Sequence, residues 1–376
     1  MKNKLSKIDI YDFLSMFFII VGNYLIYSTL GKVVKIIICT LLIVTGSIMT
    51  LISVIKKYKN NEYTPKQIKI VTIIGITAML VWHRPAEIYV STLLALKYIK
   101  EDLRKMIKNI FFSSVLSYGI IVLMWLVGVT IGVIGYRGDI LRYGIGFNHP
   151  NVALRFLVPI ILSGAIMSKN NKVYLVISLI ASALGFLVTN SRGGCLAIII
   201  FCVLSLLPKS FKRKMCNMKA IPYMFLGGVI FSLIVALYLN NITFLNQALS
   251  ARPEIWKVYI DNLEFFGQVY QVHQYPLDNV FLHTLYYGGV YGLIFFLIIY
   301  FVAFRNNDIK NNYNIVILFA SVFVYGLVEN YSNQGESFYL LLVMIQLLDY
   351  TKLKELDDDY KEEVKKKEVE FLEEQI

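Results

Sequence analysis

The stretch Val33–Ile55, VVKIIICTLLIVTGSIMTLISVI, decides the fold of this chain because its 23 positions include one charged residue, Lys35. A helix that crosses the hydrocarbon core of a bilayer needs about 20 predominantly apolar residues. Similar apolar runs recur over most of the 376 residues, only 16% of which are charged, and the mean hydropathy is +0.61. The composition therefore leaves no room for a large soluble domain.

The apolar runs predict an all-α integral membrane protein, a polytopic bundle of about twelve transmembrane helices. Ten or eleven helices are the alternatives, because predicted helices 3 and 4 are short and are also compatible with a single hairpin. The twelve predicted helices are Ile10–Leu30, Val33–Ile55, Ile68–Trp82, Pro85–Ile99, Asn109–Ile134, Asn151–Met167, Val173–Thr189, Gly194–Leu207, Ala220–Leu239, Asn279–Phe304, Tyr313–Val328 and Ser337–Tyr350.

The distribution of basic residues predicts the orientation of this bundle. With the N-terminus inside, 28 of the 37 Lys and Arg residues fall in cytoplasmic segments, eight fall outside, and Arg155 lies within predicted helix 6. Such a bias is typical of cytoplasmic loops, so we expect both termini to be cytoplasmic. It also explains the net charge of +12 without a nucleic-acid partner. We divide the chain into a transmembrane domain, 1–350, with a long extracytoplasmic loop at 240–278, and a charged cytosolic tail, 351–376.

The arginines are distributed differently from the lysines. Six of the nine lie outside or within the membrane, although topology alone does not favour Arg over Lys there. Arg presents a rigid fork of donors that matches phosphate oxygens, so this asymmetry predicts an extracytoplasmic site for a diphosphate. The candidate ligands of that diphosphate are Arg142, Arg155, Arg192 and Arg252.

Three of the candidate segments precede predicted helices, whose free N–H groups attract anions. Asn190–Gly194 (NSRGG) precedes helix 8, Asn148–Asn151 (NHPN) precedes helix 6, and Ser250–Glu254 (SARPE) precedes an amphipathic stretch that we expect to form an interfacial helix. A simpler interpretation of NSRGG is a tight turn in which Arg192 reaches the interface. Arg155 is costly at membrane depth, by about 2.5–3.5 kcal/mol, which predicts a wet cavity or a partner around it.

Candidate catalytic residues are Asp278, His149 and His283, each able to act as a general base or donor. A histidine that only bridges helices is an equal alternative for His149 and His283. The sequence has no HExxH motif, GxSxG motif or P-loop, and its four cysteines form no CxxC pair. We therefore expect no metal, no cofactor and no direct nucleotide hydrolysis.

Five motifs in this order resemble those of bacterial O-antigen or capsular polysaccharide polymerases, in the superfamily that also includes the O-antigen ligases. The resemblance covers about 146–292. The chain departs from many relatives by having Asp278-Asn279 where they have His-Asn, so a histidine base cannot be carried over to position 278. The motifs are Gly146–Asn151 (GFNHPN), Asn190–Gly194, Ala251–Trp256 (ARPEIW), Asp278–Leu282 (DNVFL) and Gly288–Gly292 (GGVYG).

This resemblance implies a polysaccharide polymerase in the bacterial cytoplasmic membrane, a metal-independent glycosyltransferase of O-antigen, capsule or exopolysaccharide synthesis. Its substrate would be an oligosaccharide repeat unit linked to polyprenyl (undecaprenyl) diphosphate, with membrane lipid, a flippase and a chain-length regulator as further candidate partners. The candidate arginines would stabilise the leaving diphosphate, and Asp278 or His149 would accept the proton of the acceptor hydroxyl. A ligase with a different acceptor, or a transporter of lipid-linked glycans, is the alternative function.

Overall fold

The computed structural model describes residues 9–81, 85–137, 139–215, 217–305, 313–329 and 338–356. These residues form fifteen α-helices, one two-stranded β-hairpin and a short 3₁₀ helix, Lys352–Leu356. The elements are α1 (Ile10–Ile26), α2 (Lys32–Lys59), α3 (Pro65–Val81), α4 (Pro85–Tyr98), α5 (Leu103–Leu126), β1 (Ile134–Arg137), β2 (Ile140–Tyr143), α6 (Pro150–Met167), α7 (Lys172–Thr189), α8 (Arg192–Leu206), α9 (Lys209–Met215), α10 (Ala220–Tyr238), α11 (Thr243–Ala248), α12 (Arg252–Asp261), α13 (Val280–Phe304), α14 (Tyr313–Gly326) and α15 (Phe338–Leu348).

The prediction of an all-α membrane protein is confirmed. Six helices of the described chain are long and apolar enough to cross a membrane: α2, α5, α6, α7, α10 and α13. Five shorter apolar helices accompany them, and every predicted transmembrane helix overlaps an observed helix. The predicted count of twelve crossings stays a prediction. Most of the predicted tail lies outside the described residues. The same holds for Arg84 and for the predicted helix boundaries at Trp82 and Ser337.

The region after α5 differs from the prediction that helix 5 continues to Ile134. The helix ends at Leu126, and the chain turns at Gly128, whose φ is +78°. It then forms the hairpin β1–β2, in which Gly135 pairs with Arg142. Glycine accepts this left-handed conformation without strain, which explains why an apolar sequence leaves the helix here. The hairpin carries Arg142 back over the start of α6.

The long loop 240–278 is ordered against the ends of α10 and α13. The predicted interfacial helix is observed as α12, which begins at Arg252 as expected. Its Trp256 and Tyr259 are buried in an apolar cluster with Leu277 and Tyr286. The Tyr259 hydroxyl donates to the Tyr275 carbonyl at 2.9 Å. Burial of two large aromatic side chains fixes the loop as a cap over the helix ends.

The helix α13 is broken in its middle, where Gly289 has φ 64° and ψ −170°. The loop inserts at this break and restores the hydrogen bonds that the helix loses. The N–H of Gln268 donates to the Tyr286 carbonyl at 2.9 Å, and the N–H of Val290 donates to the Phe265 carbonyl at 3.1 Å. A Cβ on Gly289 would lie 2.4 Å from the Phe265 oxygen, so only glycine fits. The break therefore locks the loop to the half of α13 that carries His283.

The start of α13 is held by Asn279, which is fully buried. Its side-chain oxygen accepts hydrogen bonds from two N–H groups of the first turn, at 2.9 and 3.0 Å. Its amide nitrogen donates to the Ser232 hydroxyl on α10 at 2.9 Å and to the Leu327 carbonyl after α14 at 3.1 Å. The preceding residue, Asp278, is thereby placed at the junction of three helices.

Candidate functional site

A cavity of about 830 Å³ lies at one end of the bundle. It is bounded by the end of α1, the β2–α6 connection, the loop before α13 and the segment after α14. The charge count had assigned all of these segments to the extracytoplasmic side. Six of the seven candidate site residues line the cavity: Arg142, Arg155, Arg252, His149, Asp278 and His283.

The first charged group in the cavity is the pair formed by Arg252 and Asp278. Asp278 Oδ2 accepts from Arg252 Nε at 2.9 Å and lies 2.8 Å from Nη2. The remaining donors of Arg252 contact the carbonyls of Leu249, at 3.2 Å, and Val328, at 3.3 Å. Burial raises the pKa of Asp278, and the adjacent guanidinium opposes that rise. Arg252 therefore joins the long loop to the ends of α13 and α14.

A second charged group consists of Arg142, Asn151 and Glu329. Arg142 Nη2 donates to the Asn151 side-chain oxygen, and Arg142 Nε donates to the Thr189 carbonyl at 2.8 Å. Asn151 Nδ2 donates to Glu329 Oε1 at 2.8 Å. The amide of Asn151 therefore connects a cation to a carboxylate, and it fixes the position of both.

Glu329 is a buried acid of the cavity, with 9% of its surface exposed. Burial and the charge of Asp278 raise the pKa of Glu329 to about 7, against the opposing effects of Arg252, Arg155 and the Asn151 hydrogen bond. A carboxyl group with a pKa near 7 is present in both protonation states at neutral pH. Such a group suits general acid–base chemistry.

Arg155 lies deeper in the cavity, one turn into α6, and is 7% exposed. Its guanidinium carbon stands 4.8 Å from the centre of the Tyr27 ring and 5.6 Å from that of Phe156. Aromatic faces stabilise a cation at these distances. The sequence predicted a wet cavity or a partner for Arg155, and the structure places its side chain at the cavity and against these two rings.

The two candidate histidines occupy different positions. His149 is exposed and caps α6, because its Nδ1 accepts the N–H of Asn151 at 3.1 Å. His283 is 8% exposed on the first turn of α13, and its ring centre lies 4.4 Å from that of Tyr287. Both rings line the cavity, so the structure keeps both in reach of a bound molecule.

Arg192 is the one candidate that does not line the cavity. It is exposed and begins α8, after Asn190 ends α7 with φ 47°. Burial lowers the pKa of Arg142, and the neighbouring charges of Arg252 and Arg192 lower it further, against the opposing charge of Glu329. Arg192 thus adds to the positive electrostatic potential in the cavity, although its side chain does not line the cavity.

Three further residues that line the cavity, Glu329, Tyr27 and Tyr287, were not predicted from the sequence. Glu329 follows directly on the apolar run Tyr313–Val328, and a carboxylate at the outer end of a spanning helix was the available signal. Within the part of the chain that the structure describes, no three His, Cys, Asp or Glu side chains group as a metal site. Three arginines, opposed by two carboxylates of which Glu329 is partly protonated at pH 7, give the cavity a net positive charge that favours an anion.

None of the family models, curated proteins or solved structures with which the chain was compared matches it. The fold and the site therefore define the class on their own evidence: an all-α membrane protein with a basic cavity at the ends of its apolar helices.

Proposed function

We propose that the protein is a glycosyltransferase that joins polyprenyl-diphosphate-linked oligosaccharide repeat units into a polysaccharide. It would act at the extracytoplasmic face of the bacterial cytoplasmic membrane. One observation carries the proposal: Arg142, Arg155 and Arg252 meet two carboxylates around a single cavity of about 830 Å³ at the end of apolar helices. A lipid diphosphate fits such a place, since its chain stays in the bilayer while its charge meets the arginines.

We further propose twelve crossings with both termini cytoplasmic. The end of α1, the β2–α6 connection, the loop before α13 and the segment after α14, all of which the charge count assigns to the outside, line the cavity. The lysine-rich segments at 57–59, 97–108, 169–172 and 209–212 lie at the other ends of the same helices. Positive charge accumulates on the cytoplasmic side of membrane proteins. Labelling of single cysteines introduced at Gln271 and Lys172 tests this arrangement: an impermeant reagent should label the first and spare the second in intact cells.

The proposed reaction assigns a role to the charged groups of the cavity. A hydroxyl of the acceptor repeat unit attacks the anomeric carbon of the donor chain, and the bond between that carbon and the diphosphate oxygen breaks. The bonding electrons leave with polyprenyl diphosphate, whose charge is stabilised by Arg142 and Arg155. The hydroxyl proton passes to the carboxylate of Glu329. Atoms and charge balance without a metal or a further reactant.

Glu329 suits the base role better than Asp278, the sequence-based candidate. The Asp278 carboxylate is engaged by two nitrogens of Arg252, which stabilise its ionised form and reduce its basicity. The Glu329 carboxyl, with a pKa raised to about 7, is a stronger base near neutral pH. We propose that Asp278 positions Arg252, and that His149 and His283 contact the sugars.

Lipid-linked single repeat units extracted from cells that lack this protein provide the substrate for the test. Purified protein in detergent should convert them into a ladder of chains that differ by one repeat unit on a gel. Transfer of one chain to a different acceptor, without a ladder, identifies a ligase. Movement of the lipid across vesicles without any new glycosidic bond contradicts the enzymatic proposal and identifies a transporter.

A further inference from the structure

The segment 265–270 of the long loop (FFGQVY), which we call the loop tip, has an unusual distribution of polar and apolar side chains. Its one polar amide side chain, that of Gln268, is 5% exposed and donates to the Asn262 carbonyl at 3.3 Å. A loop that lies in water turns such polar groups outward, so the loop tip has the surface of a segment in apolar surroundings. The exposed side chains of the loop tip are Phe265, Phe266, Val269 and Tyr270.

The backbone of the loop tip is bonded to the break in α13. The Phe265 carbonyl accepts the N–H of Val290 at 3.1 Å, and the N–H of Gln268 donates to the Tyr286 carbonyl at 2.9 Å. The Tyr286 hydroxyl donates to the Tyr270 carbonyl at 3.3 Å. Irregular backbone is tolerated at membrane depth where other protein groups satisfy its hydrogen bonds. These contacts therefore allow the loop tip to enter a bilayer.

The exposed surface of the loop tip is continuous with an apolar stripe of α13. The ring centres of Phe265 and Phe266 lie 5.1 and 5.4 Å from that of Tyr291. Because α13 is long and apolar enough to cross a membrane, acyl chains would cover this stripe, and the same chains would reach the loop tip. The stripe continues from Tyr291 with helical spacing over the exposed side chains of Ile294, Ile298 and Val302.

The position of the helix break indicates the depth of the loop tip. The residues from Val290 to Phe304, the end of α13, rise about 22 Å at about 1.5 Å each. A hydrocarbon core of ~30 Å that begins at the end of α13 therefore extends about 8 Å beyond the break. Glu264 and Gln271, on either side of the loop tip in the sequence, are exposed polar residues that suit the headgroup level.

We propose that the loop tip inserts into the lipid layer next to the arginine cavity, with its exposed apolar side chains among the acyl chains. Aromatic side chains are favoured at this boundary between headgroups and hydrocarbon. The insertion anchors in lipid the loop that carries Arg252. The proposal depends on the crossing of the membrane by α13 and is independent of the glycosyltransferase activity.

Site-directed spin labelling of the full-length protein in phosphatidylcholine vesicles tests the insertion. Alanine replaces the four cysteines, and one new cysteine carries the label in each variant: Phe266→Cys in the loop tip, Ile298→Cys in the stripe of α13, or Gln274→Cys. Gln274 is an exposed position of the same loop that does not line the cavity, and it is the matched control. Collisions of each label are measured with molecular oxygen, which concentrates among acyl chains, and with a water-soluble nickel complex.

The labels at Phe266 and Ile298 should collide with oxygen at least about threefold more often than with the nickel complex, and the label at Gln274 should show the reverse preference. Collision of the nickel complex with the Phe266 label as often as with the Gln274 label would place the loop tip in water and overturn the proposal. Exclusion of both reagents from Phe266 would show that protein, such as a second copy of the chain, covers the loop tip, which also overturns it. A single gel-filtration peak verifies folding, and Val269→Cys repeats the measurement if the Phe266 variant aggregates.

Discussion

Two clusters of buried charge, at opposite ends of the bundle, differ in what surrounds them. In the first, Asp12 lies 3.0 Å from Lys97 and 2.5 Å from Lys105, and Lys97 is fully buried. In the second, Arg252 and Asp278 pair beside a cavity of about 830 Å³ that Glu329 also lines. The first cluster is packed, and its charges are paired with one another. The second has space between its charges, which is the condition for binding a substrate.

The same comparison predicts different consequences of mutation. Charges that only pair with one another stabilise the bundle, because the loss of one partner leaves the other buried and uncompensated. Charges that face a cavity change binding and chemistry, because water or substrate is their second partner. Stability and activity should therefore separate between the two clusters.

The largest effect is expected from Glu329→Gln, which keeps the shape and the Asn151 contact but removes the base. The rate of chain extension should fall about 10²–10⁴-fold, with the amount of folded protein unchanged. Glu264→Gln, an exposed position of the long loop, is the matched control and should retain full activity. A wild-type rate in the Glu329 variant would remove this residue from the chemistry.

Asp12→Asn should have the opposite pattern. Fully buried Lys97 loses its ion pair, so the free energy of unfolding should fall by about 3–5 kcal/mol, as measured by titration with sodium dodecyl sulfate. Each folded molecule should extend chains at the wild-type rate. Asp9→Asn removes the same charge at the helix cap, where Asn serves equally well, and should leave stability nearly unchanged. Equal stability of the two variants would contradict the structural role of the cluster.

A smaller loss is expected from Arg252→Lys, because one ammonium cannot reproduce the guanidinium contacts to Asp278, Leu249 and Val328. The loss of charged hydrogen bonds worth about 1.5–3 kcal/mol should lower activity about 10- to 100-fold. Lys257→Arg, at a partly exposed position on the same helix that does not line the cavity, is the control. If chains reach normal length at a normal rate in the Arg252 variant, this guanidinium is dispensable.

The dependence on pH is the most gradual of the expected effects. Because the pKa of Glu329 is raised to about 7, the ionised base becomes more abundant as pH rises, and activity should fall about tenfold per unit below that value. Stability should change in the reverse sense. The protonated carboxyl contributes stability below the usual pKa, and that contribution is lost as pH rises through about 7. Reaction rates and thermal unfolding midpoints measured between about pH 5 and 8 test the two predicted pH dependences. If the Glu329→Gln variant still loses activity as the pH falls, His149 is indicated as the base.

Much of this arrangement was predictable from the sequence, because hydrophobic runs indicate which segments cross the bilayer and basic loops indicate which side of it they face. The hydrophobic runs predict the helices. Arg142, Arg155 and Arg252 were expected to lie close together because their segments end on the same side of the membrane. The turn that leads into the hairpin β1–β2 did not follow, since the apolar run 127–133 continues the helical pattern as far as Ile134. The break at Gly289 depends on a contact with Phe265, which is distant in sequence.

The role of individual residues was harder to predict than their side of the membrane. Glu329 has no motif, and its raised pKa results from burial and from the charge of Asp278, a residue distant in sequence. Arg192 lies in the motif Asn190–Gly194 yet starts a helix outside the cavity wall. The side of the membrane on which a residue lies is set by its segment of the sequence. The distance between two residues in the cavity depends on how their segments pack.

The most direct test of the account is the stoichiometry of the proposed reaction. Purified protein and lipid-linked repeat units are incubated, and released polyprenyl diphosphate is counted against new glycosidic bonds. The account predicts one diphosphate released for each bond in the wild type, and neither product above background in Glu329→Gln. Diphosphate release without bond formation, or bond formation that persists at the wild-type rate in the variant, would contradict the assignment of the arginine cavity as the site of glycosyl transfer.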